Sequence, residues 1–120
     1  MNVTNNNLVI VRGINSDWFE ENFSEMWIGF GGSPQAIPKE DAYYVGLYME
    51  APTSAITHIG IVDEIIRTND RADFYLKAII KLEKPINPGH AIRKHENWAL
   101  SRLGLNQNEM NEIRSLLFSI

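Results

Sequence analysis

The sequence predicts an α+β domain: a small curved β-sheet, antiparallel or mixed, or a pseudo-barrel, with flanking helices. Three observations carry this. The middle of the chain holds three or four strand-like runs, the clearest being Phe74 to Lys84. Both ends carry a capping pattern followed by apolar residues at helical spacing. The composition, 44% hydrophobic and 22% charged in 120 residues, suits one globular domain spanning residues 1–120. A chain of this length buries about two-thirds of its unfolded surface, enough for a core without staples.

Leu8 to Arg12 is a short β-branched run closed by Gly13, a strand. Asn15-Ser16-Asp17, with Glu20 three residues after Asp17, then reads as a helix start. Phe19, Phe23 and Met26 recur at helical spacing, which extends that helix from about Ser16 to Met26. Trp27 to Pro38 is punctuated by Gly29, Gly31, Gly32, Pro34 and Pro38 and reads as a long loop carrying Trp27 and Phe30. Loops of that length are uncommon in compact domains and are often functional.

Ala42 to Glu50 is aromatic and β-branched, a strand broken by Pro52-Thr53-Ser54. Ile56 to Arg67 is a second, nearly continuous apolar strand, with Gly60 marking a bulge or a close approach. Thr68 to Arg71 makes a turn. In the strand that follows, Phe74, Leu76, Ala78, Ile80 and Leu82 face one way and Tyr75, Lys77, Lys81 and Glu83 the other. Pro85, Pro88 and Gly89 end it, and His90 to Leu103 reads as part helix, part irregular chain. Asn106 with Glu109 repeats the capping signature. Met110, Ile113, Leu116, Leu117 and Ile120 then form the apolar stripe of a docked terminal helix.

Several function classes fall away. With no cysteine there is no disulfide scaffold, thiolate zinc site or cysteine nucleophile. His58, His90 and His95 lack zinc-binding spacing, so neither a metal nor a cofactor is expected. No G-x-S-x-G elbow or phosphate-cradling G-x-x-x-x-G-K-[ST] is present, and the Gly29 to Gly32 run follows a helix instead of a strand. The start of the chain lacks a secretory pattern and no apolar run suits a membrane span, so a cytoplasmic location is the default expectation. The net charge of −4 is unevenly spread. Residues 1–66 hold two cations against nine carboxylates, whereas residues 67–103 hold eight cations against four. One basic face on an acidic chain is therefore expected.

Tyr43-Tyr44-Val45-Gly46-Leu47-Tyr48, followed by Ser54 to Val62, resembles the strand, polar turn and strand of EVE-type domains in the PUA-like superfamily. Phe74 to Pro85 looks like that fold's next strand, which commonly closes on a Lys-Pro step, here Lys84-Pro85. Trp27-Ile28-Gly29 sits where such domains often carry a Trp-x-Gly segment. The resemblance covers residues 8–86. It implies a pseudo-barrel whose open mouth reads nucleic acid, some relatives holding a modified base in an aromatic pocket. Two departures bear on that preference: Phe30-Gly31-Gly32 replaces a usual Arg-Asn, and Glu40-Asp41-Ala42 replaces a usual Gly-Asp.

Capturing a base outside a duplex needs an aromatic surface, hydrogen-bonding groups for the base edge, and cations for flanking phosphates. Each stack is worth about 1–3 kcal/mol, so two rings suffice without a strongly basic chain. Trp27, Phe30 and Tyr48 are the stacking candidates. Ser54, Thr57 and His58 are the edge-reading candidates, although Thr57 and His58 have opposite strand parity and share a pocket only across a bulge. Arg93 and Lys94, with His95 and Trp98 nearby, form the best basic-plus-aromatic cluster, and Lys77 and Lys81 extend it.

The expected partner is DNA or RNA, with no membrane, and a binding module is favoured over an enzyme. One alternative is a small amidohydrolase-like or ligand-binding enzyme using the same cleft. The ASCH group, a second PUA-like relative, contains amidohydrolases, but its G-x-K-x-x-E-x-R segment is replaced here by Gly13-Ile14-Asn15-Ser16-Asp17-Trp18. A Thr57, Glu64 and Lys81 constellation would need residues of opposite parity. The other alternative is a protein-interaction domain, a homodimer through an edge strand or the terminal helix.

Overall fold

In a computed structural model that describes residues 6–119, apart from the side chain of Phe23, the chain forms one six-stranded mixed sheet with flanking helices. The strands are β1 (Leu8–Ile14), β2 (Trp27–Gly31), β3 (Tyr44–Met49), β4 (Ala55–Arg67), β5 (Arg71–Ile86) and β6 (His95–Ala99). Their spatial order is β2-β5-β4-β3-β1-β6. β1 and β3 run parallel, and the other neighbouring pairs are antiparallel. Helix α1 (Ser16–Asn22) lies between β1 and β2, and α2 (Gln107–Leu117) follows β6. This is the α+β class expected from the sequence. Ile120 of the terminal stripe and the ring of Phe23 fall outside what is described.

Both faces of the sheet are buried, and β1 shows how. Val9 and Val11 join one cluster, with Tyr44, Tyr48, Ile56, Ile59, Ile61, Trp98 and Ile113 of α2. Leu8, Ile10 and Ile14 join the other, with Ile28, Phe30, Val45, Leu47 and Phe74. Strands buried on both sides read as continuous apolar runs, as Leu8 to Val11 does.

The alternation along β5 is not one face. Ile61 pairs with Ala78 but Val62 with Leu76, so Lys77 is an extra residue in the ladder and the side-chain parity flips there. Ala72, Phe74 and Leu76 consequently face the second cluster, while Ala78, Ile80 and Leu82 face the first. Lys77 itself leaves the expected basic patch: its Nζ donates to the Leu117 and Ser119 carbonyls, at 2.9 and 3.1 Å, beside the end of α2. A compensating extra residue lies at Asp63 on β4. Bulges bend and twist a ladder. Beyond them the far half of the β4–β5 hairpin carries β2 back toward the opposite edge, so that Phe30 of β2 meets the His95 ring of β6 at 6.0 Å. The sheet is thus a curled half-barrel whose two edge strands face each other across a seam.

Two further expectations are corrected. Trp27 to Gly31 is strand, not loop. Its glycines mark cross-strand crowding, because a Cβ on Gly29 would lie 2.5 Å from Arg71 Nη2. His95 to Ala99 is an edge strand on β1, hidden in the sequence by its charged and polar residues. The first helix is capped by Asn15, so Asp17 falls inside its first turn and not at the cap where a box with Glu20 would begin, whereas the second capping prediction holds. Asn15 Oδ1 accepts from Trp18 N at 3.1 Å. Asn106 and Glu109 form a reciprocal capping box, and the second Glu109 carboxylate oxygen accepts from Glu83 N, pinning α2 to β5.

Candidate functional site

The seam is where chemistry-bearing side chains collect. On its β1 side, Arg12 shares strand parity with Leu8, Ile10 and Ile14 and so points inward with them. Its guanidinium lies over the Phe30 ring, 5.2 Å from the centroid. Among the described residues no hydrogen bond or ion pair engages it. Burial pulls its pKa down from the usual arginine value, and the charge of Glu50 pushes it back up.

Two open clefts meet at Arg12 and Gly13. One, about 340 Å³, is lined by Ile14, Asn15, Trp18, Trp27, Gly29 and Arg71 as well. Trp18, on α1, is 37% exposed. Trp27 is half-buried, donates its Nε1 hydrogen to Glu25 at 3.0 Å, and lies 5.9 Å from the Arg71 guanidinium. Arg71 is fixed in turn by Asp73, at 2.9 Å from Nε and 2.6 Å from Nη2, and that hydrogen bond raises its pKa. The second cleft, about 330 Å³, occupies the seam proper, with Phe30 and Gly31 on one side and Arg93 and Lys94 on the other.

Backbone groups add to this surface. Leu76 N donates to Met26 O at 2.8 Å, which sets the phase of the β2–β5 ladder. With hydrogen-bonded pairs at every second residue, Ile28 and Phe30 bond toward β5, and the amides of Trp27, Gly29 and Gly31 point away from it, toward the seam.

The predicted site residues divide. Trp27, Arg93 and Lys94 line the two clefts. Phe30 does not offer a stacking face: it is 1% exposed, held edge-on to Phe74 at 5.0 Å beneath Arg12. Tyr48 and Trp98, each 3% exposed, belong to the cluster on the other face of the sheet. Trp98 is capped by Arg102 at 3.6 Å and bonded to Glu96, so it does not extend the Arg93–Lys94 cluster. Ser54 sits in the turn between β3 and β4 with φ of 52° and lines neither cleft.

Thr57 and His58 are brought together by the bulge that opposite parity demanded. The ladder shifts register between Ile56 and His58, and Thr57 Oγ1 lies 2.7 Å from His58 Nδ1. The His58 ring packs on Phe19 at 4.8 Å, and burial, then the Lys81 charge, lowers its pKa. Glu64 lies seven residues along β4 from Thr57, roughly 20 Å at strand rise, and pairs with Tyr75. The Thr57, Glu64 and Lys81 constellation is therefore not assembled.

Sequence reasoning passed over Arg12, Trp18 and Arg71. The first carried a usable signal: a cation on the inward parity of an apolar strand either has a partner or faces a ligand. Among the described residues no group of three or more His, Asp or Glu could hold a metal, and no helix is long and apolar enough to cross a membrane.

No protein-family model matches the sequence, and a search of curated proteins found no match. Solved structures do match. A tyrosine-to-phenylalanine variant of the ASCH protein of Zymomonas mobilis superposes with a TM-score of 0.56 at 12% identity, over 90% of this chain and 97% of that one. The unsubstituted ASCH protein gives 0.55 at 12% identity, covering 90% and 94%. A serine-to-alanine variant gives 0.51, again at 12%, covering 90% and 95%. At this identity the likeness speaks to the fold alone. The curled sheet is of PUA-like type.

Proposed function

We propose that this PUA-like domain binds single-stranded nucleic acid, DNA or RNA, in the paired clefts at the seam. The observation that carries the reading is the pairing of two tryptophans, Trp18 and Trp27, with Arg71 around one open cleft that runs on to Arg93 and Lys94. Indole faces stack on any base, and the cations supply phosphate contacts. The acidic net charge makes stacking, not bulk electrostatics, the main source of affinity. The outward amides of β2 offer groups for base edges. The EVE-type likeness, and with it a modified base as the preferred ligand, rests on the strand pattern from Tyr43 to Val62 and is an arm of the test.

Short fluorescent single-stranded oligonucleotides, plain and base-modified, test this at two salt concentrations. Trp18→Ala and Trp27→Ala should each weaken binding about tenfold, a loss within the usual range for one stack. Arg93→Gln with Lys94→Gln should flatten the salt dependence by about 0.7 in slope per phosphate contact removed. Unchanged affinity in folded tryptophan variants removes the reading.

A further inference from the structure

Arg12 stands where the two clefts join, and both share it along with Gly13. Its guanidinium is half-buried, rests on the Phe30 ring within reach of the Glu50 charge, and takes part in no hydrogen bond or ion pair among the described residues. A guanidinium carries five N–H donors in a planar fork that matches two phosphate or carboxylate oxygens. No protein oxygen occupies that fork, so its donors face the clefts and are free to take an oxyanion in place of water. Among the described residues the buried side-chain atom without a partner is His95 Nδ1, and no atom of Arg12 is sealed away in that manner. Its donors are therefore reachable from the clefts. Gly31 and Gly32 keep bulk away from the junction. Gly13 has the parity of Val9 and Val11, and a side chain there would meet Ile92 O at 2.5 Å, so it reaches the clefts through its backbone alone.

The size of the clefts limits what straddles the junction. Ligand pockets usually run from about 300 to 1,000 Å³, and each cleft is at the low end of that range, room for one nucleoside apiece. One cleft has the indoles and Arg71; the other has Arg93 and Lys94. Resting on the proposed nucleic-acid reading, we infer that Arg12 grips the phosphodiester linking two successive nucleotides, one in each cleft, so that the smallest complete ligand is a dinucleotide. Arg12 is then the specificity residue that distinguishes a chain from a free nucleotide. A nucleoside monophosphate fills one cleft and leaves the other empty.

The test compares a dinucleoside monophosphate lacking terminal phosphates, a mononucleotide, a nucleoside and inorganic phosphate by calorimetry or competition against a labelled decamer. The dinucleoside monophosphate should bind at least tenfold more tightly than the mononucleotide. Arg12→Gln should remove that advantage and weaken the decamer by about tenfold or more. Arg12→Lys, which keeps the charge without the planar fork, should recover only part of it and serves if the glutamine variant does not fold. A mononucleotide that matches the dinucleoside monophosphate overturns the inference, as does a decamer affinity indifferent to both Arg12 variants. In either case the nucleic-acid reading stands. Absence of decamer binding to the unaltered protein overturns both together.

Discussion

Replacing Gly29 by alanine separates what the fold needs from what the cleft needs. An ideal Cβ there would stand 2.5 Å from Arg71 Nη2, 3.0 Å from Trp27 Cζ3 and 3.1 Å from Asp73 Oδ1. Ordinary contact begins near 3.5 Å, so the guanidinium has to retreat by about 1 Å. It cannot do so and keep its grip on Asp73, whose own Oδ1 is crowded by the same methyl group. The retreat is inexpensive for the fold, because the displaced atoms are the exposed end of a flexible side chain. Alanine also saves about 0.5–1 kcal/mol of backbone entropy relative to glycine. The unfolding midpoint should therefore stay within a few degrees of the unaltered protein. Binding should not survive as well. The methyl group edges the Trp27 indole and dislodges Arg71 from the cleft, an impairment comparable to one lost stack of about 1–3 kcal/mol, or roughly tenfold in affinity. Thermal denaturation and fluorescence anisotropy with a single-stranded decamer measure the two effects on one preparation. A folded Gly29→Ala protein with undiminished affinity refutes the cleft assignment; a large loss of stability refutes the claim that Arg71 yields cheaply.

Two further outcomes are expected. Burial is the first cause lowering the pKa of both His58 and His95 in the folded state, from a usual 6.5. The unfolded chain thus takes up protons first as pH falls, and stability should hold above about 6.5 and decline below it, by at most about 1.4 kcal/mol per pH unit for each histidine. Urea midpoints at pH 7.5 and 5.5 measure this, and His58→Gln with His95→Gln should shrink the difference. Separately, Arg67 bonds Pro38 O at 2.5 Å, Glu40 O at 3.1 Å and Asp41 Oδ1 at 2.9 Å, tying down the segment between β2 and β3. Arg67→Ala should cost about 1–2 kcal/mol, since the pair is partly exposed, and should speed tryptic cleavage after Lys39, visible by mass spectrometry.

What the sequence disclosed and concealed follows from local versus distant causes. β3, β4 and β5 were legible because β-branched and aromatic residues concentrate where both faces are covered. The Asn106–Glu109 box was legible because capping is a matter of four residues. β2 was hidden because its glycines answer to Arg71 and Asp73 on another strand. β6 was hidden because an edge strand with His95, Glu96 and Asn97 carries little apolar pattern. The parity flip at Lys77 depends on how two strands count against each other, which neither displays alone. The same division runs through the site. Trp27, Arg93 and Lys94 stood out by residue type, whereas Phe30, Tyr48 and Trp98 have the right chemistry and the wrong depth. Arg12 and Arg71 gain their importance only from the seam.

The placement of β1 has a consequence for the chain during synthesis. One of its edges pairs with β3, but the other waits for β6, where Leu8 meets Ala99 and Arg12 meets His95. At about 5–20 residues per second, the ribosome takes on the order of 5–20 s to deliver that partner. Throughout that interval Leu-Val-Ile-Val presents an unzipped ribbon to every other nascent polypeptide nearby. Early release or stalling before residue 95 leaves a sticky fragment, a burden that falls on chaperones and grows with expression level.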